Sequence, residues 1–189
     1  MLAPEMARRL MVFVTGAPGS GKTTLAGPLA VALGFPMLAK DRIKETLHDS
    51  LGGCDAGGAA ADLAWSQRLG AAAMELLWAL AADTPAVVIE ANIWPDDERN
   101  QRRIRELAAR AVEVHCVCPV EIAMRRYVSR RRHPAHAETA RNLSPDSFAR
   151  CNQPLGFGAF IAVDTTSPVD VDELAYQVRA RLGLLTSGT

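Results

Sequence analysis

Eight consecutive residues, Gly16-Ala17-Pro18-Gly19-Ser20-Gly21-Lys22-Thr23, fit the spacing GxxxxGK[ST]. That spacing lets a loop wrap successive backbone N–H groups around a polyphosphate at the start of a helix. The lysine is placed to reach the β and γ phosphates, and the Thr23 hydroxyl to take one position on Mg²⁺. Together with Thr24, these eight residues make the expected nucleotide-binding set, with ATP and Mg²⁺ as ligands.

A second group able to do chemistry is Lys40-Asp41-Arg42-Ile43-Lys44, which follows a short apolar run. A carboxylate there can align a hydroxyl with the γ-phosphate and accept its proton. Asp41 is therefore the expected base, in competition with a plain helix-capping role. Arg42 and Lys44 are candidate substrate contacts, with Lys44 the better clamp and a solvated surface lysine the alternative. Glu90 ends the apolar run Val87-Val88-Ile89, which gives it a choice between Mg²⁺ and a substrate hydroxyl. Asn92, Trp94 and Trp65 are further expected acceptor contacts. Five arginines, Arg125, Arg126, Arg130, Arg131 and Arg132, gather before His133-Pro134-Ala135-His136. Arg126 and Arg130 are four apart and expected on one helix face, closing over the transferred group as the charge on it grows. A Pro between the two histidines argues against their acting as a metal pair. Thr165, in the loop after the last apolar run, is expected near the nucleotide base.

These residues need strands to carry them to one edge. Short apolar or β-branched runs predict strands over 10–15, 36–39, 86–91, 112–117 and 160–164. Helical patterns predict helices over 22–33, 41–49, 59–82, 96–111, 120–131 and 170–182, with another over 144–151. The alternation predicts an α/β fold, a parallel sheet with helices on both faces, whose C-terminal strand ends carry the ligand. Pro28 predicts a kink or early break in the first helix. Gly52, Gly53, Gly57 and Gly58 predict a flexible link over about 52–58, and residues 186–189 a frayed end. One domain over residues 1–189 is expected, with a short lid over about 126–142.

Zero formal net charge, from 21 basic and 21 acidic side chains, removes a global field for a long nucleic acid and leaves room for a small basic pocket. No apolar run approaches the roughly 20 residues of a membrane span. The opening residues lack a signal-peptide pattern, so a cytoplasmic protein without a membrane is expected. The four cysteines form no CxxC pair, and Cys116 and Cys118 are expected on one face of a strand. The sequence contains neither NKxD nor LSGGQ, which argues against a GTPase and a transporter ATPase.

With these motifs the chain resembles small phosphate-loop kinases of the AAA_33 type, near the polynucleotide kinase, gluconate kinase and zeta-toxin groups. The resemblance runs from about residue 10 to 182. It rests on the phosphate loop, on Asp41 and Lys44 in a D-x-x-[RK] setting, and on Arg126 and Arg130 in an R-x-x-x-R lid. It implies a three-layer P-loop NTPase fold with a five-stranded parallel sheet in the order 2-3-1-4-5, ATP with Mg²⁺, and an alcohol as acceptor. Glu90 and Asn92 stand where many relatives have Asp followed by Thr-Asn. The leading expectation is an ATP-dependent kinase acting on a hydroxyl of a small molecule. A polynucleotide 5′-hydroxyl kinase and a nucleotide-gated regulatory ATP-binding protein are the alternatives.

Overall fold

The computed structural model describes residues 9–53, 58–108, 110–136 and 145–185. Five strands are present: β1 (Leu10–Thr15), β2 (Met37–Ala39), β3 (Ala86–Glu90), β4 (Arg110–Val117) and β5 (Ala159–Asp164). The helices are α1 (Lys22–Leu33), α2 (Lys40–Leu51), α3 (Gly58–Ala82), α4 (Glu98–Leu107), α5 (Val120–Ser129), α6 (Pro145–Cys151) and α7 (Val171–Arg181). All strand pairs are parallel, and the sheet runs β2-β3-β1-β4-β5. This is the three-layer P-loop arrangement.

Period-two alternation in β1 decides which layer each side chain serves. Val12 and Val14 pack with Val88, Val112 and Val114 beneath Leu25, Leu29, Leu174 and Val178 of α1 and α7. Met11 and Phe13 pack on the other side with Val87 and Ile89 against Leu77, Trp78 and Ile104 of α3 and α4. Both faces of β1 are thus dry, as expected for a central parallel strand read as a continuous apolar run. The Trp78 indole N–H donates to Asn100 Oδ1 at 2.9 Å, which ties α4 to α3. Arg99 and Arg103 add ion pairs to Glu75 at 2.8 and 3.1 Å. These contacts hold the chain after β3, which carries Asn92 and Trp94.

Three local expectations are corrected. Pro28 does not break α1, which runs unbroken through it. Pro28 and Thr24 are both exposed, so the Thr24 carbonyl deprived of its donor lies on the solvent side, where water can satisfy it. Helix 96–111 shortens to Glu98–Leu107 because the Asp97 side chain accepts from the N–H groups of Arg99 and Asn100 and fixes its start. Its far end is cut by β4, which begins at Arg110. Cys116 and Cys118 do not share a strand face, because β4 ends at Val117. Cys116 packs under α1, whereas Cys118 joins Ala17, Ala123 and Phe148 below α5.

Parts of the expected 52–58 link and of the 126–142 lid, and the whole of the 186–189 tail, lie outside the described residues, as do Cys54 and Ser144. Among the described residues no helix is long and apolar enough to cross a membrane.

Candidate active site

The phosphate loop joins β1 to α1 with its geometry set by glycine. Gly19 has φ +78°, and a Cβ there would run into the Ala123 carbonyl of α5. Gly21 has φ +93° and sits against Thr165. Both positions are in the left-handed region that costs any other L-residue energy. Ser20 is wholly buried, and its Oγ finds no hydrogen-bond partner. A buried hydroxyl without a partner is costly, and an anion in the loop is the type of group that would satisfy it. The residues present therefore fit a bound polyphosphate.

Lys22, 6% exposed, donates from Nζ to the carbonyls of Gly16 and Ala17 at 2.7 and 2.8 Å. Burial pulls its pKa below the ordinary lysine value, and the nearby Glu90 carboxylate opposes that pull. Glu90 is buried at the end of β3 beside the Thr23 side chain. Its burial pushes its carboxyl up, against the opposing charge of Lys22, and Asp41 adds to the rise. Thr23 and Glu90 thus form a compact oxygen pair beside the cradle. Oxygen donors of this kind suit a hard divalent cation such as Mg²⁺.

The register Ala39↔Glu90 sets the tip of β2 beside the tip of β3, so Asp41 emerges next to Glu90. Asp41 lies in the first turn of α2, whose N-cap is Ala39 with no side-chain cap. The capping role is therefore not the one it plays. Burial would raise the Asp41 carboxyl, but Lys40, at 3.5 Å, together with His136, Arg132 and Lys22, holds it below its ordinary value.

All these groups open into one cavity of about 1290 Å³. Its walls include Lys22, Thr23, Thr24, Asp41, Glu90, Asn92, Trp94, Arg126, Arg130 and Thr165. A single small-ligand site commonly occupies about 300–1000 Å³, so this space suits a nucleotide with a second molecule. Arg126 donates to the Thr165 carbonyl at 3.1 Å, which ties α5 to the loop after β5. Thr165 itself donates to the Ser20 and Val117 carbonyls and so buttresses the phosphate loop from below. Arg130 is not on the helix with Arg126, because α5 ends at Ser129 and Arg130 is its extended C-cap. The cavity nevertheless receives both.

Three expected acceptor contacts stand elsewhere. Lys44 is 1% exposed and donates to Ser66 Oγ at 2.9 Å, in the α2–α3 interface rather than in the cavity wall. Arg42 is exposed outside that wall. Trp65 donates to the Gly52 carbonyl at 3.2 Å and carries Arg68 over its ring, also outside it. Arg42, one residue on from Asp41 in α2, is turned to another side of the helix, while Lys44 and Trp65 are held away from the cavity by Ser66 and by the Gly52 carbonyl.

Conversely, Lys40, Arg132 and His136 line the cavity and were not among the expected ligand contacts. Adjacency to Asp41 and membership of the arginine run were signals for the first two. His136 gave none, since its position comes from contacts distant in sequence. Its Nε2 pairs with Glu45 Oε1 at 2.9 Å, and His133 Nε2 pairs with Asp49 Oδ1 at 3.1 Å. Ser66 donates to the Ala135 carbonyl at 2.6 Å. Residues 133–136 are thus latched to α2 and α3, which sets where the preceding arginines stand. The two histidines reach different acids. His48, Asp49 and His133 do bring three metal-ligating atoms within 4.8 Å of one another. However, His133 Nδ1 accepts from the Ala135 N–H, which assigns the ring proton to Nε2, on the side that a metal would need.

Comparison with known proteins places this geometry. The AAA domain family AAA_33 matches residues 11–149. The chain belongs to that family. A solved structure from Chloroflexus aurantiacus, reported as that of a candidate kinase, is 30% identical, with a TM-score of 0.72 over 93% of this chain and 98% of that one. A sugar kinase from Janibacter sp. HTCC2649 is 20% identical, with a TM-score of 0.56 over 93% and 95%. The APS kinase of Mycobacterium tuberculosis, in complex with AMPPNP and APS, is 23% identical, with a TM-score of 0.52 over 93% and 98%. These last two show the fold alone. No match is found among curated proteins.

Proposed function

We propose that this AAA_33 protein is an ATP-dependent phosphotransferase of the cytoplasm that passes the γ-phosphoryl group to a hydroxyl of a small-molecule acceptor. The observation that carries this reading is that the phosphate cradle and Asp41 open into one cavity, with Arg126 and Arg130 on its rim. Its similarity to the candidate kinase from Chloroflexus aurantiacus supports it.

In this reading Lys22 leaves the loop carbonyls for the phosphate oxygens, where its charge is better used than against two neutral dipoles. Thr23 and Glu90 would hold Mg²⁺, which when bound would supply positive charge beside the phosphate oxygens. Asp41, held ionised by the surrounding cations, accepts a hydrogen bond from the acceptor hydroxyl and lines its oxygen up with the γ-phosphorus. As the new O–P bond forms and the bond to the β-phosphate oxygen breaks, the hydroxyl proton passes to Asp41. A base held low is adequate here, because proton removal lags behind bond cleavage in a loose transition state. Arg126 and Arg130 neutralise charge on the transferred group and keep water out.

Asp41→Asn tests the assignment. It keeps the side-chain shape and the cradle, so ATP affinity should stay within about twofold while turnover falls by about 10²–10⁴-fold. Wild-type turnover in this variant, with any accepted alcohol, refutes the role.

A further inference from the structure

Trp94 is 43% exposed although it sits in a cavity wall. It is nevertheless held on two sides. The Arg150 guanidinium lies 4.3 Å from the ring centroid, and Arg150 is itself fixed by Asp96. The indole edge lies near the Cys151 side chain. Ile93, 4% exposed, anchors the backbone beside it. Arg150 does not line the cavity whereas Trp94 does, so the surface that the ring gives to the cavity is the one away from the guanidinium. An indole with one face covered by a guanidinium offers the cavity its other, flat apolar face.

The sheet order decides which ligand meets it. The loop after β5, with Thr165 and Val169, borders the same cavity at one end, while Trp94 follows β3. In the order β3-β1-β4-β5 these tips are three strand spacings apart, or about 14 Å. The phosphate loop of β1 lies between them, with Asp41 at the neighbouring tip of β2. Trp94 therefore stands on the acceptor's side of the phosphates.

We infer that Trp94 is a stacking platform for a neutral, ring-bearing polyol, a sugar or cyclitol, whose flat C–H face lies on the indole while a ring hydroxyl points to Asp41. This rests on the phosphotransferase reading and narrows its acceptor. Charge argues for neutrality, because the negative face potential of an indole is already engaged by Arg150 on the reverse side. A cationic amino alcohol therefore gains little there. Asn92, exposed beside Trp94 in the same wall, offers an amide donor and acceptor that match adjacent hydroxyls. An open-chain polyol has the hydroxyls without the rigid face.

The test is calorimetric binding in the presence of ADP and Mg²⁺. The ligands are a set of hexopyranoses and inositols, with sorbitol and ethanolamine as the acyclic and cationic probes. Expected is saturable binding of at least one cyclic polyol, tighter than either probe. Trp94→Ala should weaken it about tenfold, and Trp94→Phe, which keeps a ring, by less than about threefold. ATP affinity should stay unchanged in both variants. The inference is overturned if none of the cyclic polyols binds to protein that still binds nucleotide, if sorbitol or ethanolamine binds as tightly, or if Trp94→Ala binds like the wild type. A bound polyol that never receives phosphate would instead sink the phosphotransferase reading and leave the stacking site standing.

Discussion

The same substitution made at two glycines, Gly19→Ala and Gly27→Ala, should have effects of opposite sign. At Gly19 the backbone has φ +78°, and the added methyl would meet the carbonyl of Ala123, with the Tyr127 amide nitrogen 3.2 Å away. The left-handed conformation costs an alanine about 1–2 kcal/mol, and forcing a methyl against rigid helix backbone costs about 1–3 kcal/mol more. The total of about 2–5 kcal/mol is shared between the folded chain and the shape of the phosphate cradle. At Gly27, inside α1, the new methyl meets nothing within 4 Å. There the change removes freedom from the unfolded chain and should stabilise by about 0.5–1 kcal/mol. At about 2–4 °C per kcal/mol for a chain of this size, Gly27→Ala should raise Tm by about 1–4 °C. Gly19→Ala should lower it by at least about 4 °C and weaken ATP binding by at least about tenfold. Thermal melts with and without ATP, together with an ATP titration, read both. Wild-type Tm and ATP affinity in Gly19→Ala would refute the account of the loop as shaped by contact with α5.

Glu90 predicts a pH dependence. Its folded pKa is raised mainly by burial, so in metal-free protein its contribution favours folding most at low pH and declines as pH rises through the folded value. Subtracting the Tm profile of Glu90→Gln from that of the wild type in chelator should leave such a falling curve, and saturating Mg²⁺ should reduce it. Cys116 is fully buried, and its thiol is pushed up to about 12, chiefly by burial. Because the thiolate is the reactive form, iodoacetamide at neutral pH should leave it unmodified in native protein and label it after denaturation, as peptide mass spectrometry would show. Glu113 is 1% exposed and accepts from Thr15 Oγ1 at 2.7 Å and from the Leu155 N–H at 3.0 and 2.9 Å. Glu113→Ala strands the Leu155 N–H, whereas the Thr15 hydroxyl keeps His115 Nδ1 at 2.8 Å, and should cost about 1–3 kcal/mol in chemical denaturation.

Local chemistry made much of this protein legible. Leu10–Thr15 is an apolar run ending in a β-branched residue with Gly16 after it, so β1 could be placed to the residue, and Gly34 closed α1 in the left-handed conformation typical of a helix end. The phosphate loop was legible for the same reason, since its function lies in backbone conformation and in two adjacent side chains. Asp41 was legible because a strand tip delivers whatever follows it to the ligand edge. Helix faces were less so. Lys44 turned inward to Ser66 because α3 covers that side of α2, and Arg130 left its helix because residues 133–136 are held by Glu45, Asp49 and Ser66.

The sequence by itself determined the elements, the phosphate cradle and the types of group available for transfer, because each depends on residues within a turn or two of one another. Tertiary structure alone decided which of those groups share a cavity. The sheet order put β2 beside β3 and so Asp41 beside Glu90, and it set the Thr165 loop and Trp94 on opposite sides of the phosphate loop. Contacts between residues far apart, Arg150 with Trp94 and Arg126 with the Thr165 carbonyl, then fixed the walls. No spacing along the chain encodes such pairs, because they follow from how helices lie on a sheet rather than from local periodicity.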